Sequence, residues 1–168
     1  KAIINQALYF GIVEEALVNN LSTIADIALD RQKTTIFNQG IIGSIVLLFN
    51  PPIRRKYLLD VQKKKILQAM DMGLMLGVFG PEDDSPSFHH QDFYPFRAPQ
   101  DILVVRDMVA HDAIILDQKR VRDKKRLARM IEAYIKKFQN TSSAVENSQI
   151  YLLRQKLEQI KSSLFWYF

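Results

Sequence analysis

Residues 101–138, DILVVRDMVAHDAIILDQKRVRDKKRLARMIEAYIKKF, decide how the chain is read. Ile102, Val105, Val109, Ile115 and Leu116 recur at helical spacing and predict a buried first half. From Asp117 to Arg126 only Val121 is apolar. The stripe then returns at Leu127, Ile131, Tyr134 and Phe138, spaced four, three, four. Read as one element, the helix extends over nearly forty residues, on the order of 55–60 Å at ~1.5 Å per residue. Helices of that length bridge subunits more often than they fill small domains.

Downstream, Gln139–Ala144 is a polar connector, and Ser143-Ala144-Val145-Glu146 has capping-box form. Ile150, Leu153, Leu157, Ile160 and Leu164 form the apolar stripe of a last helix. Paired with the stripe before it, this predicts an antiparallel helical hairpin. The chain closes in Phe165-Trp166-Tyr167-Phe168, four aromatics that call for burial against the body or a partner.

Upstream lies the only long irregular stretch, Gly80–Gln100. It holds four prolines, the acids Glu82, Asp83 and Asp84, and the aromatics Phe88, Phe93, Tyr94 and Phe96. A loop of this length is functional or is a strap pinned by its aromatics. Before it, residues 2–19 read as a helix with Ile3, Ala7, Phe10 and Leu17 on one stripe. A second helix, capped by Asn20 or Ser22, carries Ile24, Ile27 and Ala28. Ile36–Phe49 is the most apolar stretch and stops at Asn50-Pro51-Pro52. Residues 52–78 show Ile53, Tyr57, Val61, Leu67, Met70 and Leu74 at helical spacing, ended by Gly80-Pro81. The expected architecture is all-α: a helical bundle over 1–79, an acidic-aromatic loop over 80–100, and a long basic helix with a helical hairpin over 101–168.

The bulk numbers suit one globular domain. The chain has 168 residues, 48% hydrophobic and 24% charged, with six Gly and six Pro. It has no cysteine, which excludes disulfides, thiolate zinc sites and cysteine catalysis, and which fits a reducing intracellular compartment. It opens on Lys1 without a signal-peptide pattern, which points to residues upstream. The net charge of +5 is concentrated in two stretches. One holds Arg54, Arg55, Lys56, Lys63, Lys64 and Lys65. The other holds Lys119, Arg120, Arg122, Lys124, Lys125, Arg126, Arg129, Lys136 and Lys137. Such stretches attract nucleic acid, anionic lipid or an acidic protein surface.

The basic waist at 119–137 is the sharpest functional candidate. Its cations surround much of a helix between 119 and 126, more than a solvated face requires. Phosphate contact through them would be salt-sensitive and, without any base-reading motif, independent of sequence. Arg106-Asp107-Met108, the basic middle and Lys125-Arg126-Leu127-Ala128-Arg129-Met130-Ile131 resemble the helicase/SANT-associated domains of chromatin remodellers. In that family the long basic helix is a platform for actin-related proteins and touches DNA. The resemblance covers residues 101–138 only, lacks the family's tryptophans, and gives no place to the hundred residues before it.

Other patterns carry less. His89-His90 with Asp92 lacks metal-ligand spacing, because adjacent side chains point apart, so no metal or cofactor is expected. His111-Asp112 is similar to the core dyad of the HD phosphohydrolases, but nothing completes the ligand set. Gly40-Ile41-Ile42-Gly43 has neither the Lys-Ser/Thr ending nor the preceding strand of a phosphate loop. Glu14 and Glu15 do not face each other on a helix. The stretch Ile36–Ile53, flanked by Arg54-Arg55-Lys56, suggests a membrane-associated subunit, yet Asn38, Gln39, Ser44 and Asn50 interrupt it, and a spanning helix wants roughly 20 predominantly apolar residues.

The expected function is therefore a non-enzymatic interaction or scaffold subunit of a larger assembly, with a protein partner or a second copy. Lys119, Arg120, Arg122, Lys124, Lys125, Arg126 and Arg129 form the electrostatic surface. Phe93, Tyr94, Phe96 and Trp166 are the apolar anchors. Sequence-independent nucleic-acid binding is the alternative.

Overall fold

All four strands lie in stretches that read as helix, and the chain is mixed α/β rather than all-α. The computed structural model describes residues 5–14, 20–34, 41–84, 92, 94, 97–117 and 119–165. They divide into two compact units, Lys1–Ala69 with Leu74–Asp107, and Met70–Gly73 with Met108–Phe168.

The first unit is a four-stranded sheet of β1 (Asn5–Glu14), β2 (Ile41–Asn50), β3 (Leu74–Phe79) and β4 (Ile102–Asp107), in the order β1-β2-β4-β3. β1 and β2 are parallel and are joined through helix α1 (Leu21–Thr34). Parallel neighbours need such a crossover, since no tight turn can reverse the chain twice. β2 leads through helix α2 (Arg55–Asp71) to β3, and β4 lies antiparallel between them. Because both flank β4 in the antiparallel sense, β2 and β3 run parallel to each other. α1 and α2 are tied together by Lys65 Nζ, which donates to both Asp26 carboxylate oxygens at 2.7 and 2.8 Å, and by Gln68 Nε2 at 3.1 Å.

The strands are apolar on both faces, which is why they carry no alternation to betray them. Val13, Ile45, Leu47, Leu103, Val105, Leu76 and Val78 share one face through the strand register and are all buried. Val46, Val104 and Met75 are buried on the other. In β2 and β4 the residue types favour a strand: Ile41, Ile42, Ile45 and Val46, then Ile102, Val104 and Val105, are β-branched and fit a pleated surface better than a helix. The stretch suspected of membrane association is in large part β2, next to the centre of this sheet. Among the described residues no helix is long and apolar enough to cross a membrane.

The expected forty-residue helix is divided. Ile102–Asp107 is β4, Ala110–Ile115 is a short 3-10 helix, and α3 is confined to Lys124–Phe138. Asp112 closes the 3-10 turn by accepting from Val109 N at 2.8 Å. Asp123 starts α3 by accepting from Arg126 N at 3.1 Å. α3 packs antiparallel on α4 (Ala144–Phe165), Leu127, Ile131 and Tyr134 meeting the side of α4 that buries Ile150, Leu153, Leu157 and Ile160. Lys161 Nζ pairs with Glu132 at 2.9 Å along the flank. Ser143 Oγ accepts from Glu146 N at 3.3 Å at the start of α4.

Gly73 joins α2 to β3 with a positive φ of 78°, and its N–H donates to Met70 O at 2.9 Å. An added Cβ there would also press on the Lys137 stem at 3.1 Å. Gly73→Ala is expected to lower the unfolding free energy by about 1–2 kcal/mol. Urea titration checks this through a lower midpoint with an unchanged slope.

Candidate functional site

In open α/β sheets ligands bind beyond the carboxyl ends of the parallel strands. Here those ends are Asn50 and Phe79, with the start of β4 between them. The chain leaves β2 through a cis Asn50–Pro51 bond and enters α2 at Arg55. That arginine is the hub of the edge. Arg55 Nη2 donates to both Asp83 oxygens at 2.8 and 3.0 Å, and Nη1 donates to Asp101 Oδ1 at 3.0 Å. Asp83 Oδ2 also accepts from Gly80 N at 2.7 Å. A Cβ at Gly80 would overlap Asp101 Oδ1 and come within 2.7 Å of Arg55 Nη1, so the clasp requires a residue without one. Partial burial disfavours the guanidinium charge, but the bonds to Asp101 and then Asp83 outweigh it and hold Arg55 above its ordinary pKa.

The clasp secures both ends of the acidic-aromatic loop, so the strap is pinned by charge where its described residues can be followed. Arg97 lies over the Tyr94 ring at 4.2 Å and donates from Nε to Asp83 O at 3.3 Å. Tyr94 is half-buried beneath that arginine. Phe93, Phe96 and Trp166, the other expected anchors, and His89 and His90 lie outside the described residues. The clasp was missed in sequence because Arg55 and its carboxylates are 28 and 46 residues apart. Among the described residues no three His, Cys, Asp or Glu side chains could hold a metal ion. A cleft of about 320 Å³ between α1 and the β1–β2 face is lined by Tyr9, Ile24, Ile27, Ala28, Ile45 and Leu47, with Arg31 its one charged wall residue.

The basic candidates gather elsewhere, on the second unit. Lys119, Arg120 and Arg122 occupy the turn before α3, and all three are exposed. Lys124, Lys125, Arg126 and Arg129 are on the first two turns of α3, with Lys125 and Arg129 exposed and the others half-buried. Lys124 Nζ donates to Ser163 Oγ at 3.2 Å. Arg129 makes a loose 3.9 Å pair with Asp71, both more than 60% exposed. The structure thus brings all seven into one segment, as a turn plus a helix start and not as the waist of a long rod. Asp117 is held below the usual carboxylate range by the backbone N–H of Lys119, with Lys156, Lys119 and Arg120 adding to the effect against a small desolvation cost.

A buried tyrosine on α3 links the 3-10 turn to α4. Tyr134 is fully buried; its hydroxyl donates to Ala110 O at 2.8 Å and lies 2.9 Å from the Gln149 side-chain amide. Burial, with Glu146 and Asp112 nearby, pushes its pKa up from 10.0 to about 12. The residue was legible as part of the apolar stripe, but its hydroxyl contacts were not.

A family profile described as "Domain of unknown function (DUF6875)" matches residues 11–149. The chain belongs to that family. The DUF6875 region takes in the clasp and the whole basic segment, and spans parts of both units. No curated protein and no solved structure matches the chain. The resemblance to the helicase/SANT-associated pattern does not extend to the fold, since Arg106 and Asp107 end a strand and the helix behind the likeness begins only at Lys124.

Arg55→Ala leaves two carboxylates, each about one-fifth exposed, without their cation. It is expected to cost about 2 kcal/mol, the partial exposure already discounted. Gly80→Ala should destabilise in the same direction, and thermal unfolding of both variants measures it. The raised Tyr134 pKa also fixes a sign. The folded chain favours the neutral phenol, so this contribution is whole below pH 10 and is lost as pH rises toward 12. Ultraviolet titration of the six tyrosines should leave one un-ionised until the fold opens. Tyr134→Phe should remove that component and flatten the loss of stability over this window.

Proposed function

We propose that this DUF6875 chain is a non-enzymatic interaction subunit of a larger intracellular assembly, docking an acidic protein surface through Lys119, Arg120, Arg122, Lys124, Lys125, Arg126 and Arg129. One observation carries the reading. Residues 119–129 hold seven cations against a single carboxylate, Asp123, and that carboxylate is engaged in capping α3. Among the described residues, Arg129 with Asp71 is the one ion pair these seven side chains make. Like charges held this close repel one another, and a complementary acidic patch relieves the repulsion on contact.

The shape of the segment favours a compact protein patch over an extended polyanion. A turn followed by the first two turns of α3 meets a local surface, whereas the long basic rod that would track a duplex is shortened, since the helix starts only at Lys124. The cysteine-free composition supports a reducing compartment. Tyr94, one of the expected apolar anchors, is engaged by Arg97.

The test titrates the chain with polyglutamate and with short duplex DNA and RNA, at low and moderate salt. A variant combining Arg120→Glu, Arg122→Glu and Lys125→Glu, all at exposed positions, accompanies it. Polyglutamate binding that falls steeply with salt and weakens at least about tenfold in the variant is the expected result. Tighter binding to the duplexes than to polyglutamate would transfer the surface to nucleic acid. No binding at low salt overturns the reading.

A further inference from the structure

Among the described residues β1 lies at the open edge of the sheet, with β2 on its other side. It is ten residues long, and every second residue turns its N–H and C=O to that open side. Edge strands in monomeric proteins are blunted by short length, proline, lysine or an inward charge. β1 has none of these: residues 5–13 read NQALYFGIV, and its one charge, Glu14, is at the end. Its side chains are open as well. Leu8, Phe10 and Ile12 share one face and are 55%, 64% and 71% exposed, and Tyr9 on the other face is 47% exposed. On a strand this alternation concentrates them into a continuous apolar strip.

We infer that β1 is the docking edge for a second copy of this chain, pairing antiparallel with its own counterpart about a two-fold axis at Phe10. The sequence is self-complementary in that register. Phe10 meets the second copy's Phe10, and Leu8 meets its Ile12. Tyr9 lies opposite Gly11 of the second copy. Glu14 falls opposite residue 6, which is uncharged, so no like charges meet. The pairing is isologous and closes on itself, joining the two sheets into one of eight strands. The four exposed side chains offer on the order of 100 Å² each, so the two copies together bury about 800 Å², the size of a weak and reversible contact. This inference concerns the first unit and is independent of the basic surface on the second.

The test is sedimentation of the full chain from low micromolar to several hundred micromolar, at low and high salt. A monomer–dimer equilibrium that persists in high salt is expected, because the contact is apolar. Ile12→Lys and Phe10→Lys, both at exposed positions, should weaken it by about tenfold or more while leaving the unfolding temperature in place. The chain has no cysteine, so Phe10→Cys introduces a single thiol at the proposed axis. Under mild oxidation that variant should form a disulfide-linked dimer much faster than Val145→Cys, an exposed position on α4. A chain that stays monomeric throughout, a dimer indifferent to Ile12→Lys, or a Phe10→Cys variant that cross-links no faster than the control each overturns the inference.

Discussion

The first unit depends on one strand being held between two others. β4 pairs with β2 from Leu103 to Arg106 and with β3 along its whole length, and β2 and β3 share no other strand. Each end of β4 is fixed by a carboxylate. At its start, Asp101 takes one arm of the Arg55 guanidinium; at its end, Asp107 Oδ2 accepts from the β2 backbone at Gly43 N, 3.0 Å away. Slipping β4 by one residue would pull both carboxylates from their partners and turn Leu103 and Val105, 1% and 0% exposed, to the opposite face. The register is therefore set twice, by polar anchors and by the apolar pattern.

The same clasp explains the region beyond the strand ends. In many α/β folds that edge receives a ligand, whereas here Arg55, Asp83 and Asp101 occupy part of it and tether a loop that would otherwise be long and loosely attached. The cations outside the clasp do different work. Lys119, Arg120 and Arg122 are exposed on the turn before α3, a helix whose buried side is fixed by Leu127, Ile131 and Tyr134. Preorganised charge loses less conformational entropy on meeting a partner than charge on a loose chain.

Sequence reading succeeded where one face is wet and failed in β2 and β4, where both are dry. Leu127, Ile131 and Tyr134 alternate with lysines and arginines, and Ile150, Leu153, Leu157 and Ile160 with polar residues, so the helical period shows in α3 and α4. β2 and β4 bury side chains on both faces and print a near-continuous apolar run, and a helical template can be laid on such a run as easily as a strand. Density of β-branched residues is the remaining signal, strongest in Ile45-Val46 and Val104-Val105, and in β4 it is masked by the apparent continuity with the basic helix. The basic residues were visible because charge clusters are local in sequence. The Arg55 clasp was not, because its members come together only when the loop folds back.

The insertion of β4 has a consequence for the order in which the chain can become structured. Ser44 waits for Arg106, and Leu74 for Asp107. During synthesis, β2 and β3 emerge with their helix between them yet have no strand to share until residues 102–107 follow. For the time it takes to make those residues, one edge of β2 and the whole of β3 present unpaired backbone and apolar faces to whatever is near. Growth from the N-terminus therefore leaves the middle of the sheet as its last-filled position, and the nascent chain needs shelter at the stage when its most hydrophobic segment is already exposed.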